Sequence, residues 1–353
     1  MSKDGISERK RAHLDLCADE SVEFAAKTTL FEQVDLVHDA LPELALDDLA
    51  LGTTLLGKRL RAPLLITGMT GGTDEAARIN QDLAGVAEAC GIAFGLGSQR
   101  AMQRSPGLAY TFEVRSHAPT TLVLANLGLV QAAALPTADV AALVQAIAAD
   151  ALCLHLNPAQ ELVQPGGDRD FRGGLATVRR LAAELDVPVV VKETGCGISR
   201  AVAQRLVDAG VRTVDVSGAG GTSWVRVETL RADADAAALG RDFAEWGIPT
   251  AAALLAVRDL DLACIASGGI RSGLDVAKAI ALGARVTGVA LPVLRAYRDG
   301  GTGAARGVVE RLLAGLRMAM LLTGSRDLDA LRGAPVIMGE RLRAWANVGE
   351  GHG

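Results

Sequence analysis

The stretch VPVVVKETGCGISRAVAQRLVDAGVRTVDVSGAGGT, residues 187–222, decides the fold. A run of valines ends in Lys192-Glu193, a glycine turn leads into residues 200–209 with apolar side chains at helical spacing, and a second apolar run, 213–216, ends in Ser217-Gly218. Apolar runs that are continuous rather than alternating mark strands covered on both faces. The same unit repeats in both directions. Apolar runs stand at 62–67, 92–96, 121–125, 151–156, 187–191, 213–216, 262–266 and 286–291, with helix-periodic spacers at 74–90, 138–149, 175–185, 200–209 and 274–282. Eight strand–helix units in series predict an α/β fold, a closed (β/α)8 TIM barrel, over an open doubly wound sheet.

Around that frame the chain divides into residues 1–60, an N-terminal extension; 61–345, the barrel; and 346–353, a flexible tail too polar and glycine-rich to pack. The extension contains an apolar run at 24–37 and a hairpin or bottom plug near 55–61. The longest gap, 217–262, is an insertion after strand 6, placed where barrel loops cover an active site. Residues 308–322 are expected to form the last barrel helix.

Composition narrows the function. The 353 residues carry 36 basic and 41 acidic side chains, net charge −5, and only 3% are aromatic, so neither a basic field nor stacking surfaces suit nucleic acid. No apolar stretch of about 18 residues suggests a membrane span, and the charges from Lys3 to Asp15 exclude a secretory apolar segment. Five scattered cysteines without a CxxC pair favour a reducing cytoplasm over disulfides or zinc. Forty glycines suggest tight turns or close backbone approach to a ligand.

Barrel active sites sit at the carboxyl ends of the strands. Those ends read Gly68-Met69-Thr70-Gly71-Gly72, Gly97-Ser98-Gln99-Arg100, Asn126, His155 with Asn157, Gln160 and Glu161, Lys192-Glu193, Ser217 to Thr222, Ser267-Gly268-Gly269 and Ala290-Leu291. Lys, His, Asn, Gln and Glu gathered there point to a ligand site. Two glycine loops on adjacent late strands suit a phosphate, and neither fits a dinucleotide or P-loop fingerprint, so a flat cofactor bearing its own phosphate is favoured. Lys192 closes a buried strand, where it serves a flavin, forms a Schiff base, or pairs with Glu193 or Asp215. Glu161 lies in an oxygen-rich cluster suited to Mg2+. His155 reads equally as an interior histidine, Cys196 as a turn residue, and the charged entry from Glu8 to His13 as a solvated terminus or a cover over a diphosphate.

Together these segments resemble the type 2, FMN-dependent isopentenyl-diphosphate Δ-isomerases. The matching residues are Arg9-Lys10 with His13, Met69-Thr70-Gly71-Gly72, Gly97-Ser98-Gln99, His155-Leu156-Asn157 with Gln160-Glu161, Gly167-Asp168-Arg169 with Phe171, Lys192-Glu193, Asp215-Val216-Ser217-Gly218 and Ser267-Gly268-Gly269-Ile270-Arg271. The likeness spans about residues 8–340. Gly68 stands where the family pattern has Ala, and Cys196 where many relatives have Phe.

The resemblance implies that FMN contacts Gly68, Met69, Thr70, Ser98, Asn126, Lys192, Ser217 and Thr222, with its phosphate on Gly268, Gly269 and Arg271 near Ala290 and Leu291. It implies that a substrate diphosphate meets Arg9, Lys10, Ser98, Gln99, Arg100, His155 and Asn157, that Glu161 holds Mg2+, and that Gln160 lies at the reacting carbons, with Lys192 and His155 also catalytic. NAD(P)H is then the reductant of the flavin, and a homotetramer or larger homo-oligomer is expected. Rival readings are an FMN oxidoreductase of the 2-hydroxy-acid or inosinate dehydrogenase type, a Schiff-base aldolase on Lys192, and a non-catalytic phosphate-binding barrel.

Overall fold

The computed structural model describes residues 3–347, and side chains from Arg9 onward. Eight parallel strands close into a barrel: β1 (Leu64–Ile66), β2 (Ala93–Gly95), β3 (Val123–Gly128), β4 (Ala151–Leu156), β5 (Val189–Glu193), β6 (Thr213–Asp215), β7 (Ala263–Ala266) and β8 (Val286–Val289), with β8 pairing back to β1. Each expected apolar run overlaps one of these strands. Two run further toward the carboxyl end than the sequence indicates. β3 continues to Gly128 because Asn126 pairs with Cys153 and Gly128 with His155, and β5 takes in Lys192 and Glu193, opposite His155 and Leu156. The polar side chains at these ends therefore stand on regular strands and not on loose turns.

The N-terminal helix α1 (Lys3–Asp19) precedes the barrel; the barrel helices are α2 (Asp74–Cys90), α3 (Thr137–Gln145), α4 (Gly174–Glu184), α5 (Arg200–Asp208), α6 (Thr250–Val257), α7 (Gly273–Ala281) and α8 (Leu291–Leu322). α2 starts where the Thr73 hydroxyl accepts the Ala76 N–H and stops where Gly91 turns left-handed at φ 67°. The last barrel helix differs from the expected 308–322: it begins at Leu291, directly after β8, and is broken at Gly300 and Gly301, whose backbones leave helical geometry. Glycine loses the most freedom in a helix, so a Gly-Gly pair is the natural place to bend.

Before the barrel, Thr53–Leu55 and Lys58–Leu60 form an antiparallel hairpin across Leu56 and Gly57, both at positive φ, as a tight two-residue turn requires. Leu55 and Leu60 enter the lower interior of the barrel with Leu65, Leu124, Val190 and Ile265, so the hairpin is a plug. A second ribbon, absent from the sequence reading, pairs Val34–Leu36 with Val336–Met338 and joins the extension to the C-terminal region. The closing helix Glu340–Asn347 includes Ala346 and Asn347, assigned above to the tail; the remainder of that tail, 348–353, lies outside the described residues. Among the described residues no helix is long and apolar enough to cross a membrane.

Leu55→Ala tests the plug. It removes a fully buried side chain far from the strand carboxyl ends, and denaturant unfolding should lose about 2–5 kcal/mol; a loss under about 0.5 kcal/mol would contradict a packed plug.

Candidate active site

The carboxyl ends of the strands surround an open cleft. One side is backbone. After β6 and β7 the two glycine loops press together: a Cβ on Gly268, itself at φ +95°, would lie 2.1 Å from the Gly218 oxygen, and one on Gly221 would lie 2.3 Å from the Gly269 nitrogen. No other residue fits either point. Thr250 Oγ1 fixes the crossing by donating to Gly268 O at 2.6 Å. The segment following α1 lies over these loops, with Phe24 N donating to Gly221 O and Ser223 N to Val22 O, both at 2.9 Å.

The opposite side is cationic. Arg9 and Lys10 reach in from α1, and Arg100 from the turn after β2, 4.0 Å from Glu161 and 3.7 Å from Asp168. Burial and the neighbouring charges of Arg9 and Arg100 lower the Lys10 ammonium to about 8. Desolvation, then Arg100, likewise lowers Arg9. Arg9 Nε and Arg100 Nε are buried without a partner. A buried donor left unmatched is costly, and here the donors are charged.

His155 stands between the two sides. Asn126 Nδ2 donates to Leu96 O at 3.0 Å, which leaves Asn126 Oδ1 to accept from His155 Nδ1 at 2.8 Å. The ring therefore carries its proton on Nδ1 and offers Nε2 as an acceptor. Burial, then Lys192, Lys10 and Arg100, depresses it to about 3, so it is neutral. Lys192 Nζ donates to the Glu193 carbonyl at 2.5 Å and is the register partner of Asp215 across β5 and β6. Burial pushes Asp215 upward, against Lys192 and the Ser267 hydroxyl at 2.6 Å. Glu193 is pushed to about 7 by burial, although its Oε2 accepts the N–H groups of Thr194, Gly195 and Cys196 and so shapes the turn beyond β5.

Two of the expected contact residues do not line this cleft. Gln99 is fully buried; its Nε2 donates to Leu143 O at 2.9 Å and its Oε1 accepts from Asn126 N, so it props the end of β3 instead of reaching a ligand. Thr70 is also buried, its carbonyl held by Asn80 and Gly97, and its hydroxyl has no partner. Gly68, Met69, Ser98, Asn126, Asn157, Gln160, Ser217, Thr222, Gly269, Arg271, Ala290 and Leu291 do line it.

Other groups enter that were not assigned from sequence. Gln160 Nε2 donates to Glu228 Oε1 at 3.1 Å, and the same oxygen lies 2.8 Å from His13 Nε2. Glu228 is inaccessible to solvent; burial works to raise it, but the bonds to His13, Arg231 and Gln160 prevail and hold it below the usual range. It sits in the insertion helix Trp224–Thr229, where nothing in WVRVET marks one glutamate as interior. His13 stacks edge-on against Trp224 at 5.2 Å; both were visible in the sequence, but only folding joins them.

Two close-packed glycine loops facing a cluster of desolvated cations, at the carboxyl ends of a closed (β/α)8 barrel, make a cleft suited to anionic ligands. The family model for FMN-dependent dehydrogenases matches residues 132–337. The fold is that of mandelate oxidase solved with an FMN adduct (TM-score 0.63, 19% identity, 95% of this chain and 100% of that one). Two relatives are more similar in sequence: the isopentenyl-diphosphate delta-isomerases of Stutzerimonas stutzeri (51% identity, 96% of this chain and 99% of the relative) and of Methanothermobacter thermautotrophicus (45%, 97% and 96%). The chain belongs to the type 2, FMN-dependent family of isopentenyl-diphosphate isomerases.

Gly268→Ala should weaken FMN binding at least tenfold, read by flavin fluorescence quenching, because the new methyl group meets Gly218 O and the required φ is positive. Unchanged affinity would mean that these loops do not carry the phosphate.

Proposed function

We propose that this chain moves the double bond of isopentenyl diphosphate to give dimethylallyl diphosphate, using bound reduced FMN, Mg2+ on the diphosphate and NAD(P)H as the reductant of the flavin. The observation that carries this reading is one cleft with two separate anion seats: the glycine cradle, and the Arg9, Lys10 and Arg100 cluster with its unmatched N–H groups. A substrate bearing one carboxylate would leave much of that charge uncompensated.

The residues present fit FMN. The glycine loops after β6 and β7 pack backbone against backbone and line the cleft beside Arg271, which leaves main chain rather than side chains facing a phosphate. Gly68, Met69, Ser98, Asn126, Lys192, Ser217 and Thr222 would hold the ring and ribityl chain, and Gly268, Gly269, Arg271, Ala290 and Leu291 the phosphate end. Reduced FMN supplies the acid–base and cation-stabilising chemistry that an unactivated alkene requires. Mg2+ fits as well: Glu161 Oε2 is taken by Asp168 N and Gln164, while Oε1 is turned to Asn157 and Arg100. One carboxylate oxygen plus substrate phosphates is a usual magnesium arrangement.

The chain's own work is then to bind, orient and exclude water. Arg9, Lys10, Ser98, Arg100 and Asn157 grip the diphosphate, and the neutral ring of His155 lines the cleft beside it. Glu228 fixes the amide of Gln160, setting which of its atoms faces the five-carbon chain. Helix α1 and Trp224 cover the olefin, which must lose an allylic proton and gain one at the terminal carbon. Lys192 favours the anionic form of the reduced ring by charge.

Anaerobic incubation of the reduced, FMN-loaded protein with isopentenyl diphosphate and Mg2+ in heavy water should yield deuterated dimethylallyl diphosphate. Equal turnover with the flavin kept oxidised would sink the proposal. Lys10 adds a pH signature. Its ammonium is charged below about 8 and neutral above, so KM should rise by up to about tenfold per pH unit past that point. In Lys10→Arg that limb should vanish, and a wild-type KM flat to pH 9.5 would remove Lys10 from the diphosphate site.

A further inference from the structure

We infer that Glu23 and Arg295 are positioning residues that couple the flavin-phosphate cradle to the helix carrying the diphosphate-binding cations, so that loading the cofactor tightens the substrate seat. This rests on the function proposed above. Helix α1 holds Arg9 and Lys10 but has no basic residue in its own last turn. Its exposed carbonyl end is served from outside. Arg295, in the first turns of α8, donates Nε to Cys17 O at 3.1 Å and NH2 to Glu20 O at 2.9 Å. A cation satisfying the last carbonyls of a helix both caps it and meets its negative pole.

The third face of the same guanidinium goes elsewhere. Arg295 NH1 donates to Glu23 Oε2 at 3.2 Å, and Glu23 Oε1 accepts from Arg271 Nε at 3.1 Å and from Arg271 NH2. Burial works against the Glu23 charge, but the two arginines outweigh it and keep the carboxylate ionised. The Glu23 backbone is at the same time bridged to Thr222 in the cleft wall. Arg271 NH1 donates to Ile270 O, and a guanidinium has five N–H groups, so two remain for an anion in the cradle.

The result is one unbroken line: cradle, Arg271, Glu23, Arg295, end of α1. Each member is about one-third exposed, so in isolation each pair is weak and its ordering costs side-chain entropy. A phosphate that fixes the plane of Arg271 fixes the carboxylate behind it, then the fork of Arg295, and with it the seat of α1. The second anion then binds to an end already ordered. Linkage makes the effect reciprocal, and couplings of this kind run from about fivefold upward.

The test uses the full chain with and without FMN, and magnesium pyrophosphate as the probe for the cation cluster. Calorimetry should give a pyrophosphate Kd at least about fivefold lower with FMN bound than without. In Glu23→Ala that ratio should fall to about one, while pyrophosphate binding to the flavin-free protein stays as in wild type. Arg295→Lys keeps the charge but not the three-way fork and should also abolish the ratio. It serves as the second variant should Glu23→Ala fold poorly. A purely structural defect would weaken both Kd values and preserve their ratio, and that outcome overturns the inference, as does a wild-type ratio of one. If the wild-type chain takes up FMN yet shows no coupling, only this inference falls; if it takes up no FMN, the proposed function falls with it.

Discussion

Three cations held in one desolvated mouth are the constraint on which the site depends. Arg9 and Lys10 come from α1 and Arg100 from the turn after β2, so their mutual repulsion opposes the docking of the helix. Docking is sustained by the carboxylates around the cluster, Glu161, Asp168 and Glu228, and by His13, which ties α1 to Glu228. These contacts occupy the sides of the cation cluster but leave Arg9 Nε and Arg100 Nε unmatched. Such an arrangement is complete only with an anion, and the low polarity that makes it costly when empty makes it selective when filled.

The same economy of contacts shapes the other side. Between the loops after β6 and β7 the backbones approach so closely that side chains are excluded, so main chain and the arginine at the loop end, Arg271, form that wall of the cleft. Because the segment after α1 lies on these loops, the N-terminal extension is part of both walls, and the barrel alone does not make the cleft.

Much of this was legible in the sequence. All eight strands were marked by short apolar runs, most of them continuous, since burial on both faces leaves little alternation to confuse them. Residues at strand ends were also legible, because a parallel barrel directs all of them to one face. What failed did so for local reasons. Gln99 stands among true cleft residues in Gly97-Ser98-Gln99-Arg100, yet one step along a turn reverses the side chain, and it props β3 from behind. Glu228 carried no signal because its role comes from packing against His13, 215 residues away. The ribbon of Val336–Met338 is three residues long and only partly buried, too short for any periodicity.

That ribbon has a consequence for how the molecule is made. Val34 lies ahead of the first barrel strand, but its partner Met338 lies beyond the last one. That edge of the extension is therefore paired only after all eight barrel strands have been synthesised. The barrel can close on its plug before the ribbon pairs, which makes the ribbon a late contact of long sequence separation.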